Sequence, residues 1–162
     1  MRPPIHLEHL GHLDAFTCAQ TLSHLPDLLF LDSALRHPAL GRYSFVAADP
    51  FGRLVVQGGR ALWNGDALPQ PPLSALRSLL DRFQQSRIDS LPPFQGGAAG
   101  YLAYDFRHTL ETLTPAPADV PLPEAVLPFY ETLVHNSDVG RIPPLMLEFR
   151  RCARTPACSG GS

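Results

Sequence analysis

Lysine is missing from this sequence, because all thirteen of its basic residues are arginine. Arginine does not replace lysine as a nucleophile, since its guanidinium group stays protonated and is poorly nucleophilic. The chain therefore cannot itself supply a lysine nucleophile to a reaction. Net charge is also small, −2 with neutral histidines. It provides no electrostatic attraction for nucleic acid or for an anionic membrane, and we expect neither as a partner.

Cysteines are few, and long apolar runs are absent. Cys18, Cys152 and Cys158 form an odd set without C-x-x-C spacing, so neither a disulfide framework nor a zinc site is predicted. No apolar run approaches the roughly 18 residues of a membrane-spanning helix. The first residues, MRPPIHLEHLGHLDAF, contain prolines and histidines where a signal peptide has its apolar core. We expect a soluble cytoplasmic protein with reduced thiols and no membrane partner.

No metal site is predicted either. His6, His9 and His12 recur every third residue, a spacing that does not stack three ligands on one helical face. A solvated or core-lining role suits these histidines better. We therefore expect no metal ligands and no cofactor in this chain.

The apolar pattern predicts one α+β domain, an antiparallel β-sheet with two short helices. A length of 162 residues suits one hydrophobic core. Gly58-Gly59 lies between two strand-like runs and is typical of a hairpin. The predicted elements are a helix over 15–24 capped by Asp14, strands over 27–33, 42–49, 53–57 and 60–64, a helix over 72–86, and strands over 98–106 and 125–135.

The predicted helix over 72–86 starts at a proline pair and carries an apolar stripe. The residues of this stripe are Leu73, Leu76, Leu79, Leu80 and Phe83. They are expected to pack on the sheet.

The stretch over 91–113, LPPFQGGAAGYLAYDFRHTLETL, is rich in glycine and aromatic residues. Gly96, Gly97 and Gly100 precede or interrupt an apolar run that ends at Tyr104-Asp105. Glycine in such a run usually marks a bend or a close approach of another backbone or a ligand. The spacing matches no nucleotide-binding loop. We expect these five residues to be structural.

Two separate blocks of the sequence carry recognisable motifs. The downstream block is Phe94-Gln95-Gly96-Gly97-Ala98-Ala99-Gly100, followed by Tyr104-Asp105 and Glu111. The upstream block is LLFLDSA over 28–34, GRYSF over 41–45 and Asp49-Pro50. The downstream block resembles the F-x-G-G-x-x-G…Y-D…E signature, and the upstream block the L-L-E-S segment and G-R-Y-S-F strand, of the component I family of the anthranilate and aminodeoxychorismate synthases. The resemblance covers roughly residues 10–136 and corresponds to the amino-terminal domain of that family.

The resemblance implies an amino-terminal domain over 1–134 with the fold of that family. In the family, chorismate is aminated by a larger carboxy-terminal chorismate-binding domain, which holds Mg²⁺ and, in aminodeoxychorismate synthases, supplies an essential lysine. We expect that domain to be absent here, and the chain alone to be catalytically inactive. No residue of this chain is predicted to be catalytic.

The tail over 135–162 loses the resemblance, and two explanations stay open. A frameshift or premature stop is one. The other is genuine divergence, in which RIPPLMLEFR still pairs as an edge strand. Residues 151–162 are predicted to be disordered under both.

The resemblance also suggests a tryptophan-like ligand pocket at Asp32, Ser33, Arg42 and Tyr43. In the family, the serine of the L-L-E-S segment helps to bind tryptophan. A hydroxyl beside a carboxylate suits an ammonium group, and an aromatic wall suits indole. Asp32 is one methylene shorter than the family's glutamate. The structural alternative is that Asp32 and Ser33 only close a strand by turn hydrogen bonds.

The sequence favours a truncated aminodeoxychorismate synthase component I, through Gln95 and the compact spacing of the two blocks. Three alternatives remain: a free tryptophan-binding regulatory domain of the anthranilate synthase type, a non-catalytic module that docks to a glutamine amidotransferase, and half of a split synthase completed by a separate chorismate-binding chain.

Overall fold

The computed structural model of the chain describes residues 5–11, 13–33, 41–111, 122–137 and 145–149. The predicted disorder over 151–162 lies outside these residues. The elements formed by the described residues are β1 (Ile5–His9), α1 (Ala15–Thr21), β2 (Leu29–Leu31), β3 (Tyr43–Ala47), β4 (Gly52–Gln57), β5 (Arg60–Trp63), β6 (Asp66–Ala67), α2 (Pro72–Arg82), β7 (Gly97–Ala98), β8 (Tyr101–Leu102), a 3₁₀ helix (Tyr104–Thr109), β9 (Ala125–Tyr130), β10 (Thr132–Ser137) and β11 (Leu145–Phe149).

The described strands form two antiparallel sheets, which confirms the predicted fold class. The five-stranded sheet has the order β1-β11-β10-β3-β2. The six-stranded sheet has the order β6-β5-β4-β9-β7, and β8 also pairs with β9. The Gly58-Gly59 hairpin joins β4 to β5 as predicted, with Gln57 opposite Arg60.

Helix α1 begins where the sequence predicted. The Asp14 carboxylate accepts hydrogen bonds from the Thr17 amide at 2.9 Å and from the Thr17 hydroxyl at 2.6 Å. The amide bond satisfies a donor that a helix leaves unpaired in its first turn, and the hydroxyl bond, followed by the amide bond, lowers the pKa of Asp14. The helix ends at Thr21, three residues before the predicted end.

Helix α2 also lies where it was predicted, but its buried face is narrower than the apolar stripe. Ala75 and Leu79 are buried against the six-stranded sheet, together with the half-buried Leu76 and Phe83. Leu73 and Leu80 are instead 47% and 43% exposed. Both lie at the margin of the apolar stripe. Only the residues along the middle of the stripe face the sheet in this helix, which ends at Arg82.

The predicted strand over 98–106 is wrong beyond Leu102. The chain turns at Ala103, whose amide donates to the Glu124 carbonyl, and continues as the 3₁₀ helix. This helix buries Phe106 against Val56 and Ala125. A continuing strand would carry Phe106 past that apolar site, so burial favours the turn.

The predicted single strand over 125–135 is two strands that belong to different sheets. β9 pairs with β4 in the six-stranded sheet, and β10 pairs with β3 in the five-stranded sheet. The chain crosses between the sheets at Glu131. The crossing is anchored by Tyr130, whose hydroxyl donates to the Asp27 carbonyl at 2.6 Å. Burial raises the pKa of Tyr130 to about 12, so the hydroxyl stays protonated and donates.

Strand β11 differs from the edge strand that the sequence allowed. It lies between β1 and β10 and pairs antiparallel with both. β10 itself runs across the predicted domain boundary at residue 134. The five-stranded sheet is thus built from both ends of the chain.

Candidate functional site

The predicted ligand residues lie together where β2 ends beside the start of β3. The two strands are antiparallel, and Leu31 is opposite Phe45. Asp32 and Ser33 follow β2 directly, while Arg42 and Tyr43 lead into β3. The pairing therefore brings all four predicted residues to one place, which we name the β2–β3 cluster and which also includes Ser44.

Hydrogen bonds fix the polar groups of the β2–β3 cluster. The Ser33 hydroxyl donates to the Tyr43 carbonyl at 2.6 Å. The Ser44 hydroxyl donates to Asp32 Oδ1 at 2.7 Å and accepts from the Ser33 amide at 3.3 Å. These bonds join the two segments across the strand pair, whereas the structural alternative predicted turn hydrogen bonds at the end of one strand. A ligand role for the same residues stays a prediction.

Ser44 is the member of the cluster that sequence reasoning missed. It is buried, with 6% of its surface exposed, and its hydroxyl donates to the Asp32 carboxylate. The available signal was a small hydroxyl within the otherwise apolar strand YSFVA. A buried polar group needs a hydrogen-bond partner, and Asp32 and Ser33, the polar pair that follows the preceding strand, are the candidates for Ser44.

An aromatic wall connects the β2–β3 cluster to the glycine-rich block. The Tyr43 and Phe45 rings lie 6.0 Å apart, and the Phe45 ring meets the Phe94 ring edge-to-face at 5.7 Å. Phe94 begins the F-Q-G-G segment, so the two blocks of the sequence meet in the fold. The Arg42 guanidinium lies over the Tyr43 ring at 5.3 Å. A cation and aromatic rings therefore lie together at one end of the wall.

Gln95 is buried, and its side chain hydrogen-bonds to the backbone of its own loop. Its side-chain oxygen accepts from the Ile88 amide at 3.0 Å, and its nitrogen donates to the Ile88 and Pro92 carbonyls at 2.8 and 2.9 Å. Three bonds to backbone hold the segment that presents Phe94 to Phe45. Gln95 thus positions the aromatic wall.

Gly97 and Gly100 occupy backbone positions that exclude a larger residue for different reasons. Gly97 has φ +104°, a conformation that L side chains rarely adopt, and it pairs with Tyr130. Gly100 lies so close to the Val126 carbonyl that an added Cβ would overlap it. The backbone of the block is therefore packed directly on β9.

His135 is a second residue that sequence reasoning missed. Its side chain is fully buried in β10, opposite Phe45 of β3. Neither ring nitrogen has a hydrogen-bond partner in the part of the chain that the structure describes. Burial disfavours the charged form and lowers the pKa of His135 to about 4. The imidazole is neutral at pH 7.

Tyr104 and Asp105 lie away from the β2–β3 cluster, in the first turn of the 3₁₀ helix. Asp105 Oδ1 is 3.8 Å from His108 Nε2, and the Arg107 guanidinium covers the Tyr104 ring at 4.3 Å. Tyr104 is 79% exposed. These contacts are local to one helical turn, and they assemble no converging acid and base.

Magnesium, which the family resemblance implies for a full synthase, has no suitable site in the described part of this chain. No three His, Cys, Asp or Glu side chains converge there to hold an ion. Mg²⁺ binds through carboxylates and water in octahedral geometry, and such a donor set is not assembled. Among the described helices, none combines the length and the apolar character needed to cross a membrane.

Comparison with known proteins finds homologues of the chain. It is 35% identical over 109 residues to anthranilate synthase component 1 of Mycolicibacterium smegmatis, and 29% identical over 124 residues to that of Arthrobacter globiformis. It is also 31% identical over 117 residues to aminodeoxychorismate synthase component 1 of Escherichia coli. The homologues of this chain are component I synthases. No protein-family model matches the sequence.

The match to the component I synthases covers most of this chain but only part of each relative. The aligned residues are 63%, 72% and 68% of this chain for the three relatives in that order, and 21%, 23% and 26% of the relatives. The chain thus spans about a quarter of the length of the curated relatives that it matches.

A solved structure has the same fold. Anthranilate synthase component I from Streptococcus pneumoniae superposes with a TM-score of 0.56 and covers 90% of this chain, at 22% sequence identity. This chain covers 32% of that structure. The architecture expected for the component I resemblance is confirmed.

Proposed function

We propose that this chain serves chorismate amination as a non-catalytic domain of the component I type, in the aminodeoxychorismate branch. The similarity to component I synthases of both branches carries the proposal. The 162 residues contain no lysine, and their described part assembles no Mg²⁺ site. Amination would then need a chorismate-binding domain and an ammonia source beyond these 162 residues. A glutamine amidotransferase and a separate chorismate-binding chain are the proposed partners.

The choice of the aminodeoxychorismate branch is supported by Gln95 and by the compact spacing of the two sequence blocks. Gln95 bonds three backbone groups and holds Phe94 against Phe45. The anthranilate branch is the second candidate, favoured by the 35% identity to the Mycolicibacterium smegmatis enzyme.

Growth requirements separate the two branches. Disruption of the gene in the organism that makes this chain should produce a requirement for para-aminobenzoate, with no requirement for tryptophan. Re-expression of the 162-residue chain is the control and should restore growth without the supplement. A requirement that only tryptophan relieves would move the chain to the anthranilate branch.

We also propose the β2–β3 cluster as one half of a pocket for a tryptophan-like amino acid. Asp32 would face the ammonium group, and the Tyr43 ring would face the indole. The Ser33 hydroxyl already donates to the Tyr43 carbonyl, and Asp32 already accepts from Ser44. A ligand must therefore share bonded groups or displace their partners.

Tryptophan should accordingly bind the chain weakly, with a Kd above about 100 μM. Each additional hydrogen bond in this partly exposed cluster contributes about 0.5–1.5 kcal/mol, whereas micromolar affinity requires about 8 kcal/mol. Calorimetric titration of the 162-residue chain measures the constant, and Ser33→Ala should change it little. A micromolar constant that Ser33→Ala abolishes would make the free regulatory domain the better description.

A further inference from the structure

Residues 13–28, which we name the α1 strap, cover one face of the five-stranded sheet. They lie in the connection from β1 to β2, which are the two edge strands of that sheet among the described residues. Helix α1 is the only helix or strand within the strap, and it packs on β3 and β10. The strap therefore passes over the face of the sheet from one edge to the other.

Helix α1 is attached to the sheet by short side chains. The residues in this contact are Ala15, Cys18 and Ala19 of the helix, and Val46 and Val134 of the sheet. Phe16, the largest side chain of the helix, is instead 60% exposed. The free energy gained by burial grows with the apolar area removed from water, and alanine and cysteine contribute little of it. The attachment of α1 to the sheet is therefore weak.

A cleft of about 430 Å³ also lies between the strap and the sheet. Leu22 and Leu25 line it on the strap side, and Ala47 and Ala48 line it on the sheet side. Protein interiors are normally close-packed, and side chains that border a gap lack van der Waals partners on that side. The part of the strap that follows α1 is thus underpacked as well.

Three hydrogen bonds fasten the end of the strap. The Pro26 carbonyl accepts from the Asp49 amide at 2.9 Å. The Asp27 carbonyl accepts from the Tyr130 hydroxyl at 2.6 Å, and Asp27 Oδ1 accepts from Arg53 Nη2 at 2.8 Å. Arg53 lies in β4 and Tyr130 in β9, both in the six-stranded sheet. Asp27 therefore ties the strap to the sheet that it does not cover.

We propose that the α1 strap moves away from the five-stranded sheet as a unit while both sheets stay paired, and that the bonds of Asp27 to Tyr130 and Arg53 limit this opening. Local opening requires least free energy where few apolar contacts are lost, as they are beneath α1. β1 and β2 keep their strand partners in the open form. The opening exposes the Cys18 thiol and the apolar sheet surface beneath it.

Thiol labelling of the native 162-residue chain measures the opening, because Cys18 is buried beneath the strap. The chain reacts with N-ethylmaleimide at pH 7, and mass spectrometry of the peptide that carries Cys18 gives the labelling rate at that thiol alone. When reclosing is faster than labelling, this rate divided by the rate in the urea-unfolded chain is the open fraction. The open fraction should exceed the globally unfolded fraction from urea denaturation by about tenfold or more. It should also stay nearly constant in urea below the global transition, because little surface is exposed.

Tyr130→Phe removes the hydroxyl that binds the Asp27 carbonyl and leaves the ring in place. It should raise the Cys18 labelling rate about three- to tenfold, the effect of one hydrogen bond. Asp27→Asn removes only the ion pair with Arg53, and asparagine tolerates its φ of +49°. Because the Arg53 side chain is half-exposed, this variant should raise the rate about twofold or less.

Val56→Ala is the control, since Val56 is buried in the six-stranded sheet with Phe106 and Ala125. It should lower the urea midpoint and leave Cys18 labelling below the global transition unchanged. Labelling of Cys18 only through global unfolding, with the urea dependence of that transition, would overturn the proposal. So would a Tyr130→Phe variant that labels at the rate of the unmodified chain, or a Val56→Ala variant that labels as fast as Tyr130→Phe.

Discussion

Valine at Gly100 should lower the free energy of unfolding by about 3 kcal/mol or more, the scale of a severe packing fault. An added Cβ would overlap the Val126 carbonyl and press on Pro128. Val126 lies in β9, which is paired with β4 on one side and with β8 on the other. The carbonyl cannot move away without breaking hydrogen bonds between β9 and its neighbouring strands, so a small backbone shift does not relieve the overlap.

Gly97 supplies a comparison within the same block. At Gly97 no atom lies within 4 Å of an added Cβ, so Gly97→Val carries only the strain of a positive φ, about 1–3 kcal/mol. Urea denaturation followed by the fluorescence of Trp63, the single tryptophan, measures both variants. Ala67→Val, on the exposed strand β6, controls for the added bulk and should stay within about 0.5 kcal/mol. Equal midpoints for Gly100→Val and the unmodified chain would show that β9 does not confine Gly100.

Acidification from pH 7 to pH 4 should remove about 3 kcal/mol of stability through His135 alone, since a pKa unit corresponds to about 1.4 kcal/mol. The folded-state pKa is about 4, below the ordinary value of 6.5, because the imidazole is buried. The unfolded chain therefore binds the proton more readily. The contribution of His135 is fully present above pH 6.5 and is lost as the pH falls from there toward 4.

The His135 effect is isolated by comparing variants over the same pH range. His135→Leu should flatten the loss of stability between pH 6.5 and 4, leaving only the part due to carboxylates. His24→Gln is the control, because His24 is exposed and bonds only the nearby Thr21 carbonyl in the described structure. Its denaturation curves should follow those of the unmodified chain. If His135→Leu leaves the pH dependence unchanged, His135 binds a proton as readily in the folded chain as in the unfolded chain, which contradicts the prediction.

Local signals in the sequence predicted the local structure of this chain. The Asp14 cap, the Gly58-Gly59 hairpin and the start of α2 at Pro72 are each fixed by residues within a turn of the chain. The β2–β3 cluster was also predictable, because two short polar segments flanking adjacent strands must meet when those strands pair.

Features set by distant contacts were not predictable in this way. The apolar run over 125–135 did not predict the crossing at Glu131, since most residues on both sides of it are buried. β11 lies between β1 and β10, and its pairing with β1 joins residues more than a hundred positions apart, as with Ile5 and Phe149. The burial of His135 depends on the same long-range packing. The sequence around His135 does not distinguish a buried strand end from an exposed one.

An amination assay on the purified 162-residue chain tests the central claim most directly. The chain is incubated with chorismate, ammonia and Mg²⁺, and the products are identified by mass spectrometry beside a heat-denatured sample. Formation of aminodeoxychorismate and anthranilate should equal that of the denatured control, because the chain offers no lysine and no assembled Mg²⁺ site in its described part. Either product above that control would contradict the account and place catalysis in this domain.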